Sequence, residues 1–372
     1  MVLSFKKHDP QMNQISFKYL PSLDGLRGVS IMLVLVVHLN AFDLFPFQFL
    51  PGGFLGVDLF FVLSGFLITT LLIQEYERSN GISLSRFYMR RALRLLPALS
   101  AVLLLSLVVF RLDLDVGLTP LRLSSVAFYF TNWLSTTEPA SDLWFLAHCW
   151  SLSIEEHFYF LWPPILILLM RNRWTRRRIL TTLIVAIVAV NVDRFALLIN
   201  EASTERLFYG TDTRADAILI GCLLSLTWRW NIVPKIFRHP RTLTFAVGLF
   251  AINVLLVNGT VKLLYCGGLT SIALSAAVIV LHSVETPPTW LSNTLLVWIG
   301  KRSYSLYLWH LPVFHLLKDH LPPAVRIPTA IIAAFIVAAL SYQFIEQPFL
   351  RLKSRRSVVE GPYPTCNVSV PS

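Results

Sequence analysis

The feature that most constrains this chain is a succession of long apolar runs, near residues 24–41, 53–74, 95–110, 150–170, 179–195, 214–229, 242–257, 264–283, 303–317 and 327–346. About 20 such residues coil into a helix about 30 Å long, which matches the hydrocarbon depth of a bilayer. Lipid offers no water to the backbone, so runs of this length are read as helices that satisfy their own N–H and C=O groups. The expected fold is an all-α polytopic membrane protein with about ten transmembrane helices. Composition agrees, since only 14% of the 372 residues are charged and the mean hydropathy is +0.62. A soluble domain carries about 25% charged residues.

Lysine and arginine set the orientation. With the N-terminus inside, 24 of the 32 basic residues fall in inner segments, as the positive-inside rule asks. Leu123–Leu134 is only about 12 residues long, and a crossing there would put the basic run Arg171–Arg178 outside, so it is expected to be re-entrant or interfacial. Both termini are then cytoplasmic. The chain divides into an N-terminal segment (1–20), a membrane domain (21–350) and a C-terminal tail (351–372) expected to lack fixed structure. The N-terminus has no cleavable signal pattern, so the first span is expected to act as an uncleaved signal. The formal charge of +11 suits loops lying on anionic lipid. Nucleic acid is not expected as a partner, because no basic patch with interleaved aromatics lies outside the spans. The four cysteines have neither metal-ligand nor disulfide-framework spacing, and no metal is expected.

Ionisable residues inside apolar runs are costly and point to a shared polar interior. In RGVSIMLVLVVH, Arg27 and His38 are eleven residues apart. On a helix they share one face, about 16 Å apart along the axis. Arg27 can hold phosphate or snorkel to headgroups, and His38 lies deep in the opposite half of the span. Asp58, Glu155, Glu156, Asp216 and His310 also fall within the expected spans. A carboxylate beside an imidazole fixes its tautomer for general-base work. In SRFYMRRALRLLP, Arg91 and Arg94 share a helix face with Arg90 close by. Guanidinium forks suit the phosphates of a nucleotide-bearing cofactor, and equally an amphipathic helix resting on anionic lipid.

Six motifs in order carry a resemblance: LDGLRGVSIMLVLVVH, GGFLGVDLFFVLSGFLIT, FYMRRALRLLP, WSLSIEEHFYFLWP, YGTDTRADAILIGCLL and SYSLYLWHLPV. Over roughly residues 20–350 the chain resembles the acyltransferase 3 family of integral membrane acyltransferases. The family's arginine-to-histidine spacing falls on Arg27 and His38, its arginine pair on Arg91 and Arg94, and its tryptophan-to-glutamate motif on Trp150, Ser151 and Glu155. The resemblance implies a multi-pass protein of the bacterial inner (plasma) membrane. It implies an acyl group, most often acetyl, taken from acyl-CoA and placed on a sugar hydroxyl of a surface or exported glycan or a lipid-linked saccharide. Some relatives carry a fused extracytoplasmic hydrolase-like domain, which this chain is expected to lack.

The mechanism expected on that basis gives the phosphates of coenzyme A to Arg27, Arg91 and Arg94, with Arg90 nearby. His38 is the general base, oriented by Asp58 or Glu155. Ser64, Tyr304 and His310 are candidates to stabilise the oxyanion. A transient acyl-histidine is an alternative course. Competing readings are a transferase acting on a small hydroxylated compound such as a macrolide, a proton-coupled transporter, and a membrane scaffold. The oligomeric state is not legible in one sequence.

Overall fold

A computed structural model describes residues 19–41, 49–112, 114, 116–138, 144–318, 320 and 322–352. The expectations for the N-terminal segment up to residue 18, and for the tail beyond 352, lie outside these residues. Among the described residues all regular structure is helical. The helices are α1 (Pro21–Ala41), α2 (Gly56–Ser79), α3 (Leu84–Arg111), α4 (Pro120–Ala127), α5 (Thr131–Ser135), α6 (Trp150–Arg171) and α7 (Arg176–Ile199). They continue as α8 (Thr204–Tyr209), α9 (Thr211–Arg229), α10 (Pro240–Leu256), α11 (Leu269–Glu285), α12 (Thr294–Lys301), α13 (Ser303–Leu317) and α14 (Pro323–Leu340). After α14 the chain widens into a π-helical turn, Ser341–Glu346. Ser83 and Thr175 show why two of the long helices begin where they do: each hydroxyl accepts a backbone N–H three residues on, at 3.4 and 3.3 Å.

Each expected apolar run is helical, but among the described residues seven helices rather than ten are long and apolar enough to cross a membrane. The three that fall short have plain reasons. Helix α9 carries Asp212, Arg214, Asp216 and Arg229, while α10 and α13 have 17 and 15 residues. Leu123–Leu134 forms α4 and α5, of 8 and 5 residues. Each rises only about 12 Å or less, too little to span a bilayer.

Burial sorts the helices into inner and outer members. Of the apolar window in α2, 78% is buried, against 17% in α7 and 22% in the Val325–Leu352 stretch that contains α14. A helix apolar on all sides belongs inside, and α2 is that helix. It meets α9 through glycine: a Cβ on Gly65 would lie 2.1 Å from the Ile218 carbonyl oxygen, and one on Gly221 2.2 Å from that of Val62. Without side chains there, the two backbones touch, the close approach by which membrane helices gain packing energy. Helix α1 meets α12 the same way, where a Cβ on Gly300 would lie 1.7 Å from the Asp24 carbonyl oxygen. The outer helices instead expose Leu104, Val188, Phe245 and Ile332, side chains suited to lipid. Helices α1, α2, α6 and α13 carry most of the polar residues singled out in the sequence.

Candidate active site

A cavity of about 290 Å³ runs beside α2. Its wall includes Val57, Phe60, Ser64, Ile68 and Leu71, a stripe at helical spacing about 21 Å long. Arg27 of α1, Arg91 and Arg94 of α3, Glu155 and Glu156 of α6, and Tyr304 of α13 complete it. Residues separated by more than 270 positions therefore share one polar passage, as the cost of burying charge in lipid requires.

The arginines are unevenly paired. Arg91 donates to Glu156 at 3.2 Å, and its guanidinium carbon sits 3.4 Å from the centre of the Tyr159 ring. Its Nε is buried without a partner. Arg27 stands 3.9 Å from Asp24, the outer edge of an ion pair. Arg94 lies in the field of Arg27 and Arg91, and among the described residues it has neither a hydrogen bond nor an ion pair. Arg90 turns away, donating to Glu75 at 3.0 Å, and is not part of the wall.

Glu155 accepts from Ser64 at 2.9 Å and from Tyr159 at 3.2 Å. Asp58 is ion-paired to Arg214 at 3.0 Å, with both side chains buried. Neither carboxylate is the partner of His38, contrary to expectation. That partner is His310, whose Nε2 lies 3.0 Å from His38 Nδ1. Helix α13 lies against α1 and brings the second imidazole to a place where the sequence had suggested an acid.

The pair fixes its own tautomers. His310 Nδ1 is 3.0 Å from the Leu306 carbonyl oxygen, which can only accept, so that nitrogen carries the proton. In neutral His310, Nε2 is then the acceptor, and His38 Nδ1 must donate to it. The Val34 carbonyl, one turn back, is a further acceptor for His38. His38 Nε2 is left with a bare lone pair, the form a general base needs.

A third imidazole, His148, completes the cluster, its centroid 4.8 Å from that of His310 and 6.3 Å from that of His38. It is buried and its Nδ1 has no partner. Sequence reasoning passed over it because it stands in the turn before α6, outside an apolar run. Its only signal was its place two residues before Trp150. The cavity wall reaches Ser151 and Tyr307 but none of these histidines. The Tyr307 hydroxyl lies 2.7 Å from Ser151 Oγ and donates to the His148 carbonyl at 2.5 Å. The ring centre of Tyr307, a residue of the cavity wall, is 5.8 Å from that of His310.

The expected oxyanion donors are all committed elsewhere. Ser64 gives its hydrogen to Glu155, Tyr304 donates to the Leu95 carbonyl at 2.9 Å, and His310 Nδ1–H points to Leu306. Among the described residues, no three His, Cys, Asp or Glu side chains are placed to share a metal ion.

A family profile described as an acyltransferase domain matches residues 20–345. This chain belongs to the acyltransferase 3 family. It is similar to the peptidoglycan O-acetyltransferase OatA of Listeria monocytogenes, 33% identical over 367 residues, which cover 90% of this chain and 56% of the relative. It is also similar to the O-acetyltransferase OatA of Staphylococcus aureus strain NCTC 8325, 34% identical over 353 residues, covering 89% and 57%. The chain thus spans a little over half the length of these curated relatives. No solved structure matches.

Proposed function

We propose that the chain is a membrane-embedded O-acyltransferase that moves an acyl group, acetyl foremost, from cytoplasmic acyl-CoA to a hydroxyl of a surface or exported glycan. The observation that carries this reading is the passage itself. One stretch of its wall holds three guanidinium groups with donors to spare, and beyond its far wall lies an imidazole with a bare nitrogen. The passage runs about 21 Å along α2, a length suited to a thin pantetheine arm with its phosphates held at one end. The two named relatives support acetyl as the group and a hydroxyl as its destination. In this reading α9, α10 and α13 cross the inner membrane along with the seven qualifying helices, so that ten crossings leave both ends cytoplasmic, the phosphates toward the cytosol and His38 toward the far face.

His38 Nε2 takes the proton of the acceptor hydroxyl as its oxygen attacks the thioester carbonyl. The Nδ1–H bond to His310 holds the ring in place and persists in the imidazolium that forms. Collapse of the tetrahedral adduct breaks the carbon–sulfur bond, and His38 returns the proton to the departing thiolate. Phe60, Leu67 and Ile68 in the wall keep water from the thioester.

Transfer of labelled acetyl from acetyl-CoA to envelope glycan in membrane vesicles tests this directly. His38→Ala is expected to lower the rate about 10³-fold, the scale of a lost general base, with the protein still present in the membrane. Wild-type transfer by that variant would overturn the assignment.

A further inference from the structure

The imidazoles of this bundle meet without an acid. His310 and His148 are buried. His38 Nδ1 faces His310 Nε2 at 3.0 Å, and His310 Nδ1 faces the Leu306 carbonyl at 3.0 Å. Among the described residues no carboxylate bonds to any of the three rings. The other titratable groups set against them are Tyr307, whose ring centre lies 5.1 Å from that of His148, Cys149, whose Sγ is 4.0 Å from His148 Nε2, and His315, which acts on His148 through its charge. The Tyr307 hydroxyl is already tied to the His148 carbonyl and to Ser151.

An acid in the place of His310 would balance the charge that forms on His38. An imidazole there does not: when His38 takes the acceptor's proton, one positive charge is left among neutral rings inside the membrane domain, where a lone charge is costly. The geometry offers a way to spread it. In the neutral pair His38 Nδ1–H donates to His310 Nε2, so the bond between the rings ends on a nitrogen that is able to take the proton outright. The two ends of that bond are matched. Both are imidazoles of the same ordinary basicity, and each has a main-chain carbonyl one turn back on its own helix, Val34 for His38 and Leu306 for His310. A charge-assisted hydrogen bond is shorter and about twice as strong as a neutral one, so neither ring has to hold the cation alone.

We infer that His310 is a second proton site, which shares with His38 the charge taken from the acceptor hydroxyl. This rests on the reading of His38 as the general base. As the acceptor O–H bond breaks, its proton joins His38 Nε2 and the Nδ1 proton of His38 shifts onto His310 Nε2, while the oxygen's electron pair forms the bond to the thioester carbonyl carbon. Collapse breaks the carbon–sulfur bond, its electron pair leaves on sulfur, and both protons retrace their paths: Nδ1 of His38 regains its own, and Nε2 gives the other to the thiolate. The products are an ester and a free thiol, with both imidazoles neutral again. His310 reaches the substrate only through His38, which makes it a positioning residue.

Single-turnover transfer of acetyl from acetyl-CoA to envelope glycan by the full chain in vesicles tests this. In His310→Gln the amide oxygen still accepts from His38 Nδ1–H but takes up no proton, which separates orientation from proton sharing. Its rate is expected to fall at least about tenfold, short of the loss for a missing base, with the KM for acetyl-CoA and the unfolding temperature unchanged. His310→Glu accepts a proton as well as a hydrogen bond, and should return to within about threefold of wild type. In mixtures of H2O and D2O the wild-type rate should bow away from a straight line, as two moving protons require, and the His310→Gln rate should follow the line; should either variant fail to fold, the wild-type isotope measurement decides. A His310→Gln protein as fast as wild type, a folded His310→Glu protein no faster than His310→Gln, or a straight line for wild type overturns the shared proton. If wild type moves no acetyl from acetyl-CoA, or His38→Ala is as fast as wild type, the reading of His38 falls first and this inference with it.

Discussion

Arg194 and Arg94 sit in the same bundle and are treated in opposite ways. Arg194 lies on α7, the least buried of the seven candidate spans, yet its own side chain is fully buried. It donates to the Thr213 carbonyl at 2.8 Å, Asn191 at 2.8 Å, Asp216 at 3.0 Å and Thr270 at 2.7 Å. Thr270 Oγ1 lies within hydrogen-bond distance of both Asp216 and Asn191 and gives its one hydrogen to either, closing a polar knot between α7, α9 and α11. Arg94 has none of this, although it too lies within an apolar helix. Arg194 is held by several protein acceptors, with only its Nε unpartnered, as befits a charge that joins helices, whereas the unpaired Arg94 is what the proposed donor site asks of a charge that meets a ligand.

That contrast can be broken. The largest effect should follow Arg194→Ala, which strands Asp216 in the interior and is expected to cost about 3–5 kcal/mol, read as a lowered unfolding temperature in detergent. A stable Arg194→Ala protein would show that the knot is not what fastens α7. Next comes Arg94→Ala, expected to raise the KM for acetyl-CoA about 30-fold, close to 2 kcal/mol, while kcat and the unfolding temperature barely change. An Arg94→Ala protein that unfolds early with an unaltered KM would move Arg94 into the structural class. The smallest effect is expected of Arg90→Ala, whose partly exposed ion pair with Glu75 is worth about 0–1 kcal/mol. It should change acetyl-CoA kinetics less than about twofold, about 0.4 kcal/mol, and a larger change would bring Arg90 back into donor binding.

Much of the site could be read before the structure, because helical spacing and the cost of buried charge act locally. Arg27, Arg91, Arg94, Ser64, Glu155 and Tyr304 were each marked by residue type and setting, and all line one cavity. What stayed hidden depends on contacts between distant segments. His310 stands 272 positions from His38, and no periodicity says that an imidazole rather than a carboxylate will face it. Asp58 looked like a free acid until Arg214 was found against it, although both belong to motifs already noted. Arg194 was the clearest missed signal, since an arginine within an apolar stretch demands partners. Ten runs shrank to seven qualifying helices for a related reason: α9 spends its hydropathy on charges that only packing can satisfy.

The glycine contact between α2 and α9 has a mechanical consequence. Where main chain rests on main chain there are no rotamers to swing aside, so that flank of the passage behaves as a fixed rail. Any widening to admit a bulky nucleotide thioester falls to the facing flank, α3, whose links to α6 and α13 include single tyrosine hydroxyl bonds from Tyr88 to Phe160 and from Tyr304 to Leu95. Tyr88→Phe and Tyr304→Phe would loosen that hinge one latch at a time.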